Sequence, residues 1–129
     1  MKRVLASMIL FLLLLSGCSR IPDEPTYTQV DMQTAIKLME DETDYVILDV
    51  RTIEEFETAH IPDAICIPNE EIGTTPPSKL SDRDQLILIY CRSGNRSKQA
   101  AQKLADMGYT NIVEFGGNID WPGETASES

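Results

Sequence analysis

The sequence predicts an α/β fold in which a small, mostly parallel sheet is covered by helices on both faces. Two aliphatic runs, residues 45–50 (YVILDV) and 86–90 (LILIY), are typical of strands that are buried on both sides. Helix-like stretches alternate with the strand-like runs, as in parallel sheets. The 129 residues suffice for one compact domain and leave little room for a second.

The first half of the domain supplies two helices and two strands. Asp31 is a favourable N-cap for a helix whose apolar residues recur at i, i+3, i+4 and i+7. After the first strand, residues 52–59 form a short acidic helix, and residues 64–67 (AICI) form a brief second strand. Residues 73–79, rich in threonine and proline, are a loop.

The second half begins with the strand at residues 86–90. Residues 97–107 then form a helix with alanines and a leucine on its buried face, and Gly108 closes it as a left-handed cap. A last strand, residues 112–115, ends in Gly116 and Gly117. Sheets of this kind bind ligands at the carboxyl ends of their strands.

The amino terminus has the layout of a secretory signal peptide. Residues 1–17 combine a short basic start with an apolar run that is too short to span a membrane. Residues 15–18 (LSGC) resemble the lipobox of bacterial lipoproteins. That resemblance implies that Cys18 is lipidated and becomes the first residue of the mature chain. The alternative is an incidental cysteine behind an ordinary signal peptide.

This interpretation divides the chain into a signal peptide (1–17), a lipidated tether (18–26), one domain (27–123) and a polar tail (124–129). Residues 1–17 carry two cationic and no acidic residues, so their removal changes the formal charge from −10 to −12. Such an acidic domain is unsuited to a nucleic-acid backbone. We therefore expect no nucleic-acid partner, and attachment to the cell membrane or outer membrane, on the extracytoplasmic face, through the lipid.

A loop between the strongest strand and the last predicted helix carries the candidate chemistry. Glycine and small polar residues at the amino end of a helix direct backbone N–H groups toward one point and form an anion cradle. A cysteine at the mouth of that cradle, beside two arginines, should have a lowered pKa and act as a nucleophile toward an anionic substrate. The loop consists of Cys91, Arg92, Ser93, Gly94, Asn95, Arg96 and Ser97.

Five landmarks in register resemble those of the rhodanese family. They are residues 49–51 (DVR) with 55–56 (EF), 60–64 (HIPDA), 67–69 (IPN), 91–97 (CRSGNRS) and 116–121 (GGNIDW). The resemblance implies a rhodanese-like fold and a sulfurtransferase that passes sulfane sulfur from thiosulfate or another donor to cyanide or a thiol. No cofactor is implied, and the protein partner is unknown.

The resemblance assigns roles within the loop. Cys91 would hold the sulfur as a persulfide, the backbone of residues 92–97 would hold its negative charge, and Arg92 and Arg96 would attract the donor. The six residues from Cys91 to Arg96 match sulfurtransferases, whereas phosphatases and arsenate reductases of this fold use a loop one residue longer. Phosphatase activity is therefore the less favoured chemistry.

Residues outside the loop are expected to have supporting roles. The i, i+4 spacing of Arg51 and Glu55 predicts an ion pair, and Asp49 is expected to order neighbouring loops by hydrogen bonds. His60 is expected to be a hydrogen-bonded loop residue, and Cys66 a small buried hydrophobe. A Cys66–Cys91 disulfide stays open at low weight, and no residue cluster supports a metal site.

Two other classes of function remain possible. The chain could be a binding or regulatory module that keeps the fold without turnover, although it retains the loop cysteine and both arginines. A thiol redox protein would need a resolving cysteine near Cys91, and the loop offers none. Ala59 and Asn118 depart from the family pattern, and the short carboxyl terminus predicts a reduced or absent final helix.

Overall fold

The computed structural model describes residues 26–128. The predicted signal peptide, Cys18 and all but the last residue of the predicted tether lie outside the described residues. Within residues 26–128, no helix combines the length and the apolar character that are needed to cross a membrane.

Five strands form a single sheet in which every neighbouring pair is parallel. Their order across the sheet is β1-β5-β4-β2-β3, so the strongly apolar β4 lies at the centre. This sheet confirms the predicted α/β architecture. The strands are β1 (Thr28–Gln29), β2 (Tyr45–Asp49), β3 (Ile65–Cys66), β4 (Leu86–Cys91) and β5 (Ile112–Gly117).

Three helices connect the strands: α1 (Met32–Asp41), α2 (Ile53–Thr58) and α3 (Asn95–Asp106). The Asp31 carboxylate caps α1 by accepting from the N–H of Thr34 at 2.8 Å. Helix α3 begins two residues before the predicted position, at Asn95. The reason is that the preceding glycine adopts a left-handed conformation and turns the chain into the helix at once.

Alternate residues of β4 enter separate cores on the two faces of the sheet. Ile87 and Ile89 pack with the alanines and leucine of α3, whereas Leu88 and Tyr90 pack on the opposite face with residues of α1. All four side chains are fully buried. Period-two alternation in a strand that is covered on both sides explains why the sequence of β4 is apolar throughout.

Parallel pairing brings the carboxyl ends of the strands to one edge of the sheet. Asp49 ends β2, Cys91 ends β4 and Gly117 ends β5. Cys91 and Gly117 are register partners, after an irregularity in the pairing between Ile89 and Cys91. The predicted loop residues therefore lie at the edge where sheets of this class bind ligands.

Two short pairings were not predicted from the sequence. Thr28 and Gln29 extend the sheet as β1 beside β5. At the carboxyl terminus, Ala126 forms an antiparallel bridge with His60, so part of the predicted polar tail packs against the domain. A 3₁₀ turn at Asn118–Asp120 follows β5.

Candidate active site

Cys91 lies on the floor of the loop and not at its mouth. Its side chain is 1% exposed, because the thiol points from the end of β4 into the ring that residues 92–97 form around it. The N–H of Gly94 donates to Cys91 Sγ at 3.0 Å. A reagent must therefore reach the sulfur through the ring of backbone N–H groups.

Two glycines give the loop its shape. Gly94 has a φ of +105°, a left-handed conformation that side chains disfavour, and it forms the N-cap of α3. Gly117 of β5 lies so close to the loop that a Cβ atom there would overlap the carbonyl oxygen of Arg92. The loop is thus packed directly onto the backbone of the neighbouring strand.

Hydrogen bonds within the loop favour the thiolate of Cys91. Burial raises the pKa of this thiol, but hydrogen bonds from the Ser97 hydroxyl and from the N–H groups of Ser97, Gly94 and Ser93 outweigh it. The pKa of Cys91 therefore lies below the ordinary value of a cysteine. A lowered thiol pKa at a helix amino terminus is what a nucleophilic cysteine requires.

Ser97 connects the thiol to a buried carboxylate that the sequence analysis did not identify. Its hydroxyl oxygen lies 3.4 Å from Cys91 Sγ and 2.7 Å from Glu114 Oε1. Glu114 belongs to β5 and is 2% exposed. The signal for Glu114 was present in the sequence: a single acidic residue interrupts a strand that is otherwise apolar and covered on both faces.

The two loop arginines differ in their surroundings. Arg96 forms a bidentate ion pair with Glu55 of α2, with nitrogen–oxygen distances of 2.8 and 3.1 Å. The hydrogen bond from Arg96 is the main reason that the pKa of Glu55 is lowered to about 2. The Arg92 side chain is exposed and makes no hydrogen bond or ion pair with residues 26–128. Arg92 is thus the loop cation that is available to an anion.

The predicted ion pair between Arg51 and Glu55 is wrong. Arg51 instead binds Asp49, with Nη2 2.7 Å from Oδ2, and Glu55 binds Arg96. The reason is that the chain turns sharply after β2, so Arg51 folds back onto the end of its own strand and is only 5% exposed. Glu55 projects from the side of α2 that faces α3.

Asp49 accepts several hydrogen bonds in a buried network beside the loop. Its carboxylate accepts from the Arg51 guanidinium, from the Arg51 N–H at 2.9 Å and from the Tyr90 hydroxyl at 2.6 Å. Tyr90 in turn accepts from the N–H of Ile61 at 3.0 Å. Arg51 Nη2 also donates to the Ala59 carbonyl at 2.6 Å. These contacts fix the segment after α2 against the strand that carries Cys91.

His60 and Cys66 lie outside the ring around the thiol. His60 is 3% exposed, and its Nδ1 lies 2.8 Å from the Phe56 carbonyl oxygen, which matches the predicted hydrogen-bonded residue. Cys66 is half-buried, not fully buried as expected, since it ends the edge strand β3. Burial is the main reason that its pKa is raised to about 11. Both cysteines within residues 26–128 are free thiols, so no Cys66–Cys91 disulfide is present there.

An open cavity of about 360 Å³ adjoins the loop. The exposed Arg92 contributes to one wall, and Asn118 and the 67% exposed Ile119 contribute to another. Ser93 and Asn95 are exposed on the outside of the ring. Residues 26–128 contain no group of three or more histidine, cysteine, aspartate or glutamate side chains that could hold a metal ion.

Comparison with known proteins identifies similar sulfur-handling proteins. The chain is 34% identical over 73 residues to the thiosulfate sulfurtransferase PspE of Escherichia coli K12, covering 57% of this chain and 70% of PspE. It is 35% identical over 94 residues to a sulfurtransferase of Allochromatium vinosum, covering 72% and 86% of the two chains. Its 40% identity over 80 residues to the putative sulfur carrier protein YrkF of Bacillus subtilis covers 61% of this chain and only 42% of YrkF.

The fold comparison agrees with the sequence comparison. The solution structure of the rhodanese-like domain of Anabaena protein Alr3790 superposes with a TM-score of 0.70 at 25% identity, covering 79% of this chain and 80% of that domain. The sequence profile of the rhodanese-like domain matches residues 31–121. This range includes the whole sheet except β1, together with the loop around Cys91. The chain therefore belongs to the rhodanese-like domain family.

Proposed function

We propose that the protein is a thiosulfate sulfurtransferase that carries sulfane sulfur on Cys91 as a persulfide. The observation that carries the proposal is the position of Cys91 Sγ within a ring of N–H donors, with Gly94 N at 3.0 Å. Such a ring stabilises a negative charge on sulfur, which is needed both for the attacking thiolate and for the persulfide. Similarity to named sulfurtransferases supports the same chemistry.

The reaction has two displacement steps on sulfur. The Cys91 thiolate attacks the sulfane sulfur of thiosulfate, a new S–S bond forms, and sulfite leaves with the electron pair of the old S–S bond. Cyanide or a thiolate acceptor then attacks the terminal sulfur of the persulfide. Its bond to that sulfur forms as the persulfide S–S bond breaks, which regenerates the Cys91 thiolate. Covalent catalysis of this kind divides one transfer into two easier displacements.

We assign the donor to the cavity beside the loop, which Arg92 lines together with Arg51 and Glu55, each of which is paired with another residue. Thiosulfate carries two negative charges, and Arg92 is an exposed cation at the wall of this cavity. Arg96 is already neutralised by Glu55, so we assign it to holding the loop against α2 rather than to binding the donor. The sequence predicted that both arginines attract the donor, whereas we assign that role to Arg92 alone.

Turnover with thiosulfate and cyanide tests the proposal. Thiocyanate production is measured for the unchanged protein, for Cys91→Ser and for Cys66→Ser. We expect turnover in the unchanged protein and in Cys66→Ser, and none above background in Cys91→Ser, because Cys66 lies outside the ring. Equal turnover in Cys91→Ser would contradict the role of Cys91. A folded, reduced protein with no turnover on thiosulfate or persulfide donors would favour a non-catalytic binding module.

We also propose that the domain is held by a lipid on Cys18 at the extracytoplasmic face of a membrane. The support is the order of basic residues, apolar run, small residues and cysteine in residues 1–18. Two or more acyl chains on one residue give stable attachment. Metabolic labelling with an alkyne fatty acid should label the chain and not Cys18→Ser. Labelling of both proteins alike would contradict the lipid site.

A further inference from the structure

Glu114 lies in β5 among neighbouring positions of the sheet that carry apolar side chains. It is the register partner of Ile89, and Ile112 pairs with Ile87 two residues earlier along the same strands. Glu114 is 2% exposed on the face of the sheet that α3 covers. A carboxylate in such a place is unfavourable unless hydrogen bonds satisfy it. The hydrogen bonds of Glu114 should therefore account for its place in the core.

The contacts of Glu114 lead directly to the reactive thiol. Its Oε1 accepts from the Ser97 hydroxyl at 2.7 Å and from the N–H of Gly116 at 2.8 Å. The same Ser97 oxygen lies 3.4 Å from Cys91 Sγ. A serine hydroxyl has one proton to donate, so Glu114, the Gly94 carbonyl oxygen at 3.0 Å and a Cys91 thiolate compete for it. The shortest distance draws the hydroxyl proton toward Glu114, which weakens the Ser97 hydrogen bond that helps to lower the pKa of Cys91.

We propose that Glu114 is a positioning residue that orients the Ser97 hydroxyl and opposes negative charge on Cys91 Sγ. The inference rests on the proposed sulfur transfer. In that reaction, the effect of Glu114 differs between the free thiolate and the persulfide. In the free enzyme the charge is on Sγ itself, whereas in the persulfide it is on the terminal sulfur, one bond further from Glu114. Glu114 therefore favours the loaded state, in which the negative charge lies further out in the ring of N–H groups.

Other charged groups near the thiol act in the opposite direction or are already paired. Arg96 of α3 interacts favourably with Cys91, but its guanidinium is bound to Glu55 of α2. Arg92 is an exposed cation in the loop itself. From β5, Glu114 is the acidic residue that contacts the floor of the loop among the described residues. A change at Glu114 should therefore appear directly in the ionisation of Cys91.

The test measures the rate of Cys91 alkylation by iodoacetamide as a function of pH. It uses the full chain in mild detergent with Cys18→Ser and Cys66→Ser, which leaves Cys91 as the single thiol. The two contacts through the Ser97 oxygen place Glu114 Oε1 within about 6 Å of Cys91 Sγ. A unit charge at that distance, at an effective dielectric constant of about 20, corresponds to about two pH units. We expect the midpoint of the profile to fall by about one pH unit or more in Glu114→Gln. A midpoint that is unchanged or higher in the folded variant would overturn the proposal.

Three further variants separate the proposed role from simpler effects. Glu114→Leu, which suits the apolar position, should lower the midpoint at least as far as Glu114→Gln. In a Ser97→Ala background, the shift caused by Glu114→Gln should be smaller, and an equal shift would overturn the action through Ser97. Glu71→Gln, an exposed control, should leave the midpoint in place, and a matching shift there would also overturn the assignment.

Alkylation needs no sulfur donor, so this test is separate from the test of sulfur transfer. If turnover with thiosulfate is absent but the midpoint falls in Glu114→Gln, the proposed function fails and the link between Glu114 and Cys91 stands. If turnover is present and the midpoint does not fall, sulfur transfer stands and the role of Glu114 fails. The two proposals can thus be refuted independently.

Discussion

Removing the charge of Asp49 should destabilise the domain strongly, although Asp49 does not touch the thiol. Asp49→Asn keeps the shape of the side chain but leaves the Arg51 guanidinium buried beside a neutral amide. Asp49 is fully buried and Arg51 is 5% exposed, so water cannot replace the lost carboxylate. The Tyr90 hydroxyl, 2.6 Å from the carboxylate, also loses a charged acceptor.

The expected size of this effect follows from the burial of the pair. Breaking a buried ion pair by removing one partner destabilises a protein by about 3–5 kcal/mol. The remaining amide oxygen can still accept one hydrogen bond, so we expect a loss of about 3 kcal/mol in the free energy of unfolding. For a domain of this size, such a loss lowers Tm by roughly 12–24 °C.

Urea unfolding and thermal unfolding, followed by circular dichroism, measure the change. The matched control is Asp41→Asn, because Asp41 pairs with Lys37 at 3.1 Å on the surface, where the two side chains are 56% and 73% exposed. Exposed pairs of this kind contribute about 0–1 kcal/mol. A loss below about 1 kcal/mol in Asp49→Asn, equal to that of the control, would refute the reasoning about the buried network.

Three further outcomes are expected. Arg92→Ala should raise KM for thiosulfate about tenfold in the cyanide assay with a smaller change in kcat, because an exposed cation is lost beside the cavity. Gly117→Ala should lower the free energy of unfolding by about 1–3 kcal/mol and reduce thiosulfate turnover, since its Cβ would overlap the Arg92 carbonyl. Acid should weaken the Arg96–Glu55 pair, because the pKa of Glu55 is lowered to about 2 in the folded protein. The contribution of this pair to stability is fully present above the unfolded pKa of about 4.3 and is lost as pH falls toward 2. This pair is about one-third exposed, so Glu55→Gln should remove less than about 1 kcal/mol of pH-dependent stability in acid urea unfolding.

Each of these outcomes has a control or a contrary result. Gly73→Ala, where an added Cβ meets nothing within 4 Å, should leave both stability and turnover near their original values. An unchanged KM in Arg92→Ala would show that the donor does not use this cation. An acid unfolding profile that is the same in Glu55→Gln and in the unchanged protein would contradict the ion pair with Arg96.

The sequence was sufficient to predict the sheet and the reactive loop because both carry strong local signals. Continuous aliphatic runs such as those of β2 and β4 are typical of strands that are buried on two faces. The glycine-containing segment that follows β4 places Cys91 at the amino end of a helix, whatever the details of packing. Strand β1 was missed because Thr28 and Gln29 are exposed and have no apolar pattern.

Pairings between side chains were harder to predict, because spacing along the chain does not determine them. Arg51 and Glu55 have the i, i+4 spacing of a helical pair, yet Arg51 precedes α2 and turns back to Asp49. Glu55 then binds Arg96, which is distant in sequence and reaches it only because the fold brings the two side chains together. The apolar residues around Glu114 in the sequence indicate a buried carboxyl group, but its contact with Ser97 depends on the register of β5 beside β4.

The intact mass of the protein after incubation with thiosulfate tests the central claim most directly. The unchanged protein should gain about one sulfur atom, cyanide should remove it, and Cys91→Ser should gain none under the same conditions. A gain of the same size in Cys91→Ser, or no gain in a folded and reduced protein that is given thiosulfate or a persulfide donor, would contradict a persulfide on Cys91.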